Sequence, residues 1–362
     1  MNIEKYRTPY KYGQPVMAGS GKIGAFDEKG VDIPFVFMHH QRYYMLYTGY
    51  DGIGYQSALA VSDDLLNWTH EAVILKRGTS ANAWDNRSAA GTWMIKESDA
   101  LTDIPVLKKI DGKYWMAYHA YPGQGYEEGP AAIGLAWCAD EDLRSWHRLD
   151  QPVLTCEAGG AWEQGGLYKA CIIRSNDLWY MFYNAKNCEP RWIEQTGAAV
   201  SRDLVHWQRV GDQPLLTVSP GRWDGRFVSD PYIVRDGCRW LNFYFGYEGG
   251  HAQEGLAYSD DLLHWKKESV PLITHGALGD IDENHAHKAA IFYRDNVLYH
   301  FYCATRPHKV GDSTSLYGEW RTITVAASRP WAEIAGHPDI LRKSEHVMID
   351  EQKGADDDET IK

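Results

Sequence analysis

Short apolar runs alternate with polar turns along most of the chain, and the order of the runs repeats. In each repeat an apolar strand is followed by a polar turn, an aromatic strand and a third apolar strand. The first strands read DIPFVF, DIPVLKKI, KACIIR, DPYIVR and KAAIFY, and the second strands read YYMLYTGY, YWMAYHAY, WYMFYNAK, WLNFYFGY and LYHFYCAT. Such runs, rich in β-branched and aromatic residues and bounded by turn residues, predict β-strands.

An acidic turn followed by a tryptophan closes each repeat. It reads SDDLLNW at 62–68, ADEDLRSW at 139–146, SRDLVHW at 201–207 and SDDLLHW at 259–265, with a weaker copy, AASRPW, at 326–331. We expect its carboxylates to cap the turn before the fourth strand, and its leucine and tryptophan to pack between modules. Self-similarity of this kind indicates stacked modules. The sequence therefore predicts an all-β fold, a five-bladed β-propeller of four-stranded antiparallel blades.

Neither a linker nor a change of composition separates the repeats. We therefore predict one domain from about residue 20 to 335. The remaining segment, 336–362, is acidic and poor in aromatic residues, and its end is expected to be loose.

Composition excludes several classes of partner. The net charge is −12 and no basic cluster stands out, which argues against nucleic acid. No apolar run approaches the roughly 18 residues that cross a bilayer. The N-terminus lacks the apolar core of a secretory signal, so we expect a cytoplasmic protein, although a trimmed secreted form would have the same sequence. The six cysteines are scattered singly and are expected to be reduced. The oligomeric state is left open.

The predicted propeller brings the starts of its first strands together around one funnel. Counting back fifteen residues from the tyrosine of each second strand gives Asp32, Asp103, Tyr168, Ser229 and His287. Three of these positions are followed directly by charged residues, Lys169, Asp230 and Lys288. Charged groups at the start of an apolar strand need partners or water. We therefore expect this ring to bind substrate.

The blade pattern, together with DIPFVF, DIPVLKKIDGKYWMAY and SDDLLNW, resembles the five-bladed β-propeller glycoside hydrolases. This broad group contains glycoside hydrolase family 43 and relatives such as families 32, 62, 117 and 130. The resemblance implies that Asp32 is the general base and that Asp103 orients the general acid. The acid of family 43 is a glutamate in blade three, where this chain has Tyr168 and Lys169 instead.

Two residues are candidates for the general acid. Glu163 is the nearest acidic residue of blade three, but its Trp-Glu pair recurs in other blades as a possible scaffold feature. His287 is the other, since the resemblance to family 117 implies that a histidine can act as acid. His285 lies on the same face of the strand, two residues before His287. The resemblance to family 43 alternatively implies that this pair belongs to a central water or divalent ion site, with calcium as the ion.

The main functional hypothesis is a glycoside hydrolase that cleaves a terminal sugar from an oligosaccharide, with inversion, through an acid and a base. One alternative is a phosphorylase in which Lys169, Lys288 and Arg306 hold phosphate; the same cations suit an acidic sugar. Another is a carbohydrate-binding propeller without catalysis. Trp84 and Tyr126 lie in loops where aromatic residues stack on sugars. The sequence leaves the sugar and linkage open.

Overall fold

Strands account for nearly all the regular structure in the computed structural model, which describes residues 2–334. In chain order they are β1 (Tyr10–Lys11), β2 (Met17–Ala18), β3 (Gly30–His39), β4 (Arg42–Tyr50), β5 (Tyr55–Ser62), β6 (Thr69–Leu75), β7 (Ala90–Met94), β8 (Tyr114–Ala120), β9 (Ala132–Cys138), β10 (His147–Arg148), β11 (Gly166–Ser175), β12 (Leu178–Lys186), β13 (Glu194–Ser201), β14 (Gln208–Arg209), β15 (Phe227–Asp236), β16 (Arg239–Tyr247), β17 (Gln253–Ser259), β18 (Lys266–Lys267), β19 (His285–Arg294), β20 (Val297–Pro307) and β21 (Glu319–Ala327). Short 3₁₀ turns cover Ile3–Tyr6, Cys156–Ala158, Ala161–Glu163 and Trp331–Glu333. No helix in the described part of the chain is long and apolar enough to cross a membrane.

The strands form five antiparallel blades, the third and fourth of which are joined by one parallel pair, Glu194 with Phe227. This arrangement confirms the predicted propeller. The innermost strands β3, β7, β11, β15 and β19 each contact the next, and β19 contacts β3, so the ring closes. Two-residue turns with positive φ at both positions join the first two strands of blades one, three and five, at His40-Gln41, Asn176-Asp177 and Asp295-Asn296. Turns of this type match the twist of antiparallel strands.

Blade five takes its outer strands from the N-terminus of the chain. β21 pairs with β1, where Tyr10 faces Ala327, and with β2, where Met17 faces Ile323. The predicted boundary near residue 20 is therefore too late, because residues 10–18 complete the last blade. Trp331 lies in a 3₁₀ turn instead of a fourth strand and packs against Tyr12 at 5.6 Å between ring centroids. The predicted loose end at 336–362 lies outside the described residues.

The acidic turns have the predicted capping role. In the first copy, Oδ1 of Asp64 accepts hydrogen bonds from the backbone N–H groups of Leu66 and Asn67, at 2.9 and 2.7 Å. The indole N–H of Trp68 donates to the carbonyl of Leu65 at 2.9 Å. Corresponding tryptophan bonds recur at Trp146, Trp207 and Trp265. The phrase is thus a repeated scaffold element, as predicted.

Aromatic side chains and a long connection close the axis of the propeller at one end. Phe35, Trp93 and Tyr232 come from three innermost strands, are fully buried, and lie within 6.4 Å of one another by ring centroid. The segment between β7 and β8 forms bridges with blade one at Met38–Val106 and with blade four at Ala100–Arg235. The main cavity along the axis lies at the other end, where the innermost strands begin.

All six cysteines are free, as predicted. Cys138, Cys156, Cys171 and Cys303 are buried, whereas Cys188 and Cys238 are exposed.

Candidate active site

A cavity of about 280 Å³ occupies the open end of the axis. Its lining combines titratable groups with aromatic rings and is drawn from all five blades or their loops. The residues are Ile33, His119, Tyr121, Tyr126, Glu127, Tyr168, Lys169, Trp192, Glu194, Arg226, Phe227, Asp230, Phe245, Tyr247, Ala252, His285, His287, Lys288 and Arg321.

A bulge at the same position of the innermost strands shapes this end of the axis. Ile33, Lys169, Asp230 and Lys288 all have positive φ, between 51° and 66°, and the strand register shifts at each of them. Left-handed backbone is unfavourable for residues with a Cβ, particularly for β-branched Ile33. Bulges next to active sites commonly re-aim side chains. Here Lys169, Asp230 and Lys288 all line the cavity.

Asp103 does not belong to the site, so its predicted role in orienting the acid is wrong. The innermost strand of blade two is β7, in which Ala90 faces His119 and takes the position that corresponds to Asp32. Asp103 is exposed in the connection between β7 and β8 at the far end of the propeller. The segment DIPVLKKI repeats the composition of DIPFVF without being the innermost strand.

Asp32 is buried immediately beneath the cavity. Its Oδ2 accepts hydrogen bonds from Lys288 Nζ at 2.7 Å and Arg321 Nη1 at 3.2 Å, and also from two tyrosine hydroxyls. Its Oδ1 accepts from Cys303 Sγ at 2.8 Å and the backbone N–H of Ile33 at 2.9 Å. Burial by itself raises the pKa of Asp32, but the charges of Lys288 and Arg321 outweigh it and hold the pKa far below its ordinary value.

The hydroxyl of Tyr55 has a single proton, which Asp32 shares with Glu127. The other five donors alone exceed the roughly four lone-pair sites of a carboxylate. Asp32 therefore has no acceptor position left for a water molecule, which argues against the predicted role as general base. Its carboxylate instead anchors the two cations that form the floor of the cavity. The sequence register located Asp32 but gave no sign of Arg321, which reaches the site from β21.

His287 is held as a neutral ring. Its Nδ1 lies 3.1 Å from the carbonyl oxygen of Cys303, and its Nε2 lies 3.1 Å from Arg321 Nη1. Since both contacts are satisfied when Nδ1 donates and Nε2 accepts, the arginine occupies the position that a second proton would need. Burial first, and then the charge of Arg321, hold the pKa of His287 well below its ordinary value. This environment argues against an imidazolium acid.

His285 stands at the edge of the cavity. Its Nδ1 accepts a hydrogen bond from the backbone N–H of Ala252 at 3.0 Å. Burial and then the charge of Arg321 lower its pKa to about 4. Neutral imidazoles suit transition metals better than calcium, which takes oxygen ligands. Within residues 2–334, the three-residue group with metal-ligand spacing is His39, His40 and Glu141, at the opposite end of β3.

Asp230 and Lys169 face the cavity from neighbouring blades. Burial raises the pKa of Asp230 to about 7, although Lys288 and Lys169 counteract it. Burial lowers the pKa of Lys169, and the charge of Asp230 opposes this. Among the described residues, no carboxylate oxygen lies within ion-pair distance of Lys169 Nζ. Asp230 is thus a carboxyl group that carries a proton over part of the neutral range.

Two further carboxyl groups line the cavity, and the sequence did not single them out. Glu127 lies in the loop YPGQGYEEGP, and its Oε1 accepts hydrogen bonds from Tyr55 at 3.1 Å and Lys288 at 3.4 Å. Glu194 begins β13 and accepts from Ser229 at 2.7 Å, Trp192 at 2.9 Å and Asn184 at 3.2 Å. Neither residue lies on an innermost strand, so a search along those strands misses both.

Aromatic side chains form one wall of the cavity. Trp192 stacks with Phe227 at 6.1 Å between centroids, and Phe227 contacts Tyr247 at 5.0 Å. Tyr168 lines another part of the wall, beside Tyr121. Aromatic faces with nearby hydroxyl groups are suited to binding sugar rings.

Two other predicted site residues, Arg306 and Trp84, lie outside the cavity lining. Arg306 pairs with Asp312 at 2.6 Å and lies over Trp320. Trp84 stacks on Tyr118, as do Trp162 on Tyr183 and Trp223 on Tyr244. Stacking on the second-strand tyrosine is therefore a feature of the scaffold.

Glu163 is also scaffold and is not a candidate for the acid. Its carboxylate accepts hydrogen bonds from Tyr183 at 3.1 Å and from Arg209 at 2.7 Å, and it is fully buried. The same link between an acidic residue, the second-strand tyrosine and a cation recurs in blades two, four and five, at Asp85, Asp224 and Asp282.

No protein-family model matches the chain. A 1,2-beta-oligomannan phosphorylase of Thermoanaerobacter sp. (strain X514) is 30% identical over 133 residues, which cover 34% of this chain and 44% of the phosphorylase. The chain thus matches less than half the length of that relative.

Solved structures match over much more of the chain. The structure of a BT0996 RGII complex has a TM-score of 0.76 with 28% identity and covers 91% of this chain and 94% of its own. One described as "Glycoside hydrolase" has a TM-score of 0.76 with 27% identity and the same coverage. Glycoside hydrolases of families 43 and 117 share the fold.

The predicted resemblance to the five-bladed β-propeller glycoside hydrolases is therefore confirmed, and these similarities support the broader assignment of a carbohydrate-active enzyme.

Proposed function

We propose that this carbohydrate-active enzyme is a glycoside hydrolase that removes a terminal sugar from an oligosaccharide, with Asp230 as general acid and Glu127 as general base. Glycoside hydrolysis needs one carboxyl group that carries a proton and one that is ionised. In this cavity Asp230 and Glu127 come from different blades and have different surroundings.

The observation that carries the proposal is this difference in surroundings. Burial raises the pKa of Asp230 to about 7, so the group can give a proton to a leaving oxygen near neutrality. Oε1 of Glu127 lies 3.4 Å from the ammonium of Lys288, and the side chain of Glu127 is 31% exposed. Water can therefore reach it, whereas the carboxylate of Asp32 is covered by its donors.

The shape of the cavity supports a terminal sugar as the substrate group. The axis is closed behind the cavity by Phe35, Trp93 and Tyr232. A pocket with one opening accepts the end of a chain more readily than its middle. The rings of Trp192, Phe227 and Tyr247 lie along one side of the pocket, where a sugar face can stack.

Phosphorolysis is a second candidate, because Lys169 faces the cavity without a carboxylate at ion-pair distance among the described residues. A phosphate ion would supply that partner. Two relatives that match about a third of the chain are described as phosphorylases. In this alternative the phosphate replaces water as the attacking group, and Asp230 remains the acid.

The experiment is an activity screen on an oligosaccharide panel, run with and without inorganic phosphate, with the anomers of the products followed by NMR. We expect cleavage without phosphate and inversion at the anomeric carbon. Asp230→Asn should lose about 10²–10⁴ of the rate on natural linkages, yet retain more activity on activated aryl glycosides, whose leaving group needs no proton. Glu127→Gln should be equally impaired on both substrate types.

Asp177→Asn is the matched control, since that side chain is 95% exposed in the turn between β11 and β12. Strict dependence on phosphate would replace hydrolysis with phosphorolysis. Full activity of Asp230→Asn on natural linkages would remove Asp230 from the mechanism.

A further inference from the structure

A second cavity, of about 740 Å³, adjoins the first one at the mouth of the propeller. Arg226 lines both cavities, and so connects them. We call the second cavity the arginine groove because Arg191, Arg222 and Arg226 all line it. Glu248 also lines the groove.

The three arginines have no carboxylate partners in the part of the chain that the structure describes. None of their guanidinium nitrogens lies within 4.0 Å of a carboxylate oxygen. The acidic residue of the groove, Glu248, accepts a hydrogen bond from the backbone N–H of Gly250 at 3.1 Å. Three unpaired cations in one groove are unusual for a chain with a net charge of −12.

Backbone contacts hold two of these guanidinium groups. Arg226 Nε donates to the carbonyl of Trp192 at 3.1 Å, and its guanidinium lies 4.7 Å from the centroid of that ring. Arg191 Nη2 donates to the carbonyl of Glu248 at 3.3 Å. Their remaining N–H groups are available to a ligand, whereas the side chain of Arg222 is exposed.

We propose that the arginine groove binds an anionic sugar, one bearing a carboxylate or a sulfate ester, next to the sugar that occupies the cavity. The planar guanidinium offers paired N–H donors that match two oxygens of such a group. The location of the ligand along an oligosaccharide rests on the proposed function. The binding of an anionic sugar does not, because it is measured without turnover.

The test uses binding to Asp230→Asn protein, measured by isothermal titration calorimetry. The ligands are a uronate-containing oligosaccharide, the same compound with its carboxyl groups reduced to alcohols, and a sulfated counterpart. We expect an anionic ligand to bind about tenfold more tightly than the neutral one at low salt, and this ratio to fall as ionic strength rises. Comparing the uronate with the sulfate identifies the anion that the groove prefers.

The same ratio is then measured with Arg191→Ala/Arg222→Ala added to Asp230→Asn. We expect it to approach one, whereas Arg202→Ala, in an exposed turn at the opposite end of blade three, should leave it unchanged. Equal binding of the anionic and neutral ligands, or an anionic preference that survives the double substitution, would overturn the proposal. Anion-dependent binding in a protein that cleaves nothing would refute the hydrolase and leave the groove assignment standing.

Discussion

The carboxyl groups near the axis show how strongly a residue's neighbours decide its chemistry. Asp32 and Asp230 are both buried and lie at corresponding ends of innermost strands. Asp32 accepts hydrogen bonds from two cations and is held as a carboxylate, whereas burial dominates at Asp230 and its pKa rises to about 7. Sequence register identifies both positions, but it does not show which one can donate a proton.

The raised pKa of Asp230 predicts the pH dependence of the reaction. A general acid acts only while it is protonated, so kcat should be highest below about pH 7 and should fall about tenfold per unit above it. The measurement is a pH profile of kcat on a natural linkage, compared with an activated aryl glycoside on which the alkaline limb should weaken. An identical alkaline limb on both substrates would assign that limb to another group.

Replacement of Asp32 by asparagine should lower stability as well as activity. Lys288 and Arg321 would then lose the buried carboxylate that they share and keep only the longer contacts with Glu127 and Glu319, so we expect the free energy of unfolding to fall by about 3 kcal/mol. Urea denaturation followed by tryptophan fluorescence measures the change. The control is Asp103→Asn, which changes an exposed residue and should stay within about 0.5 kcal/mol of the wild type. Wild-type stability of Asp32→Asn would show that its anchoring contacts are not required.

At the scale of strands, the last blade depends on a short N-terminal segment. Lys11 in β1 donates hydrogen bonds to buried Asp282 and to the carbonyl of Thr274, both at 2.7 Å. Lys11→Ala leaves that carboxylate without its cation, so we expect a loss of about 2 kcal/mol in the free energy of unfolding. Thermal and urea denaturation would measure it beside exposed Lys22→Ala as control. Equal stabilities of the two variants would contradict this role.

Strands and turns were predicted correctly wherever a sequence pattern is typical of a single local structure. The alternating strands, the polar turns between them and the capped acidic turns all follow from local residue preferences. The prediction of the innermost strand of blade two was wrong because the actual strand, β7, has only five residues and begins with Ala90 and Gly91. A Cβ at Gly91 would lie 2.9 Å from the sulfur of Met116, so packing requires a small residue where a sequence pattern favours a larger one.

The site was predicted less completely than the fold, because strand register locates only the residues on innermost strands. Lys169, Asp230 and Lys288 follow from the strand register, because symmetry brings corresponding positions together. Glu127, in a loop, and Arg321, on a third strand, reach the cavity through the three-dimensional course of the chain. The sequence indicated Tyr126 of this loop as a residue that can stack on a sugar, without identifying the carboxylate of Glu127 beside it.

For the whole molecule, the ring closes through blade five, which combines N-terminal strands with β21. We therefore expect folding to depend on both of these segments of the chain. Deletion of residues 2–18 removes β1 and β2 and leaves β21 as an unpaired edge. We expect the truncated protein to lose its cooperative thermal transition or to aggregate, as measured by calorimetry and size-exclusion chromatography. A truncated protein with the wild-type melting temperature and elution volume would show that blade five is stable without these strands.

Phe35, Trp93 and Tyr232 close the bottom of the cavity, so substrates and products have to enter and leave through its mouth. A sugar cleaved at the bottom can leave only after the rest of the oligosaccharide has withdrawn through the mouth. In the proposed hydrolysis of a terminal sugar, the products would therefore depart in a fixed order, with the longer fragment first, and the protein would release its substrate after each cut. The liberated sugar would compete with the next chain end for the same binding site, so its accumulation would inhibit the reaction.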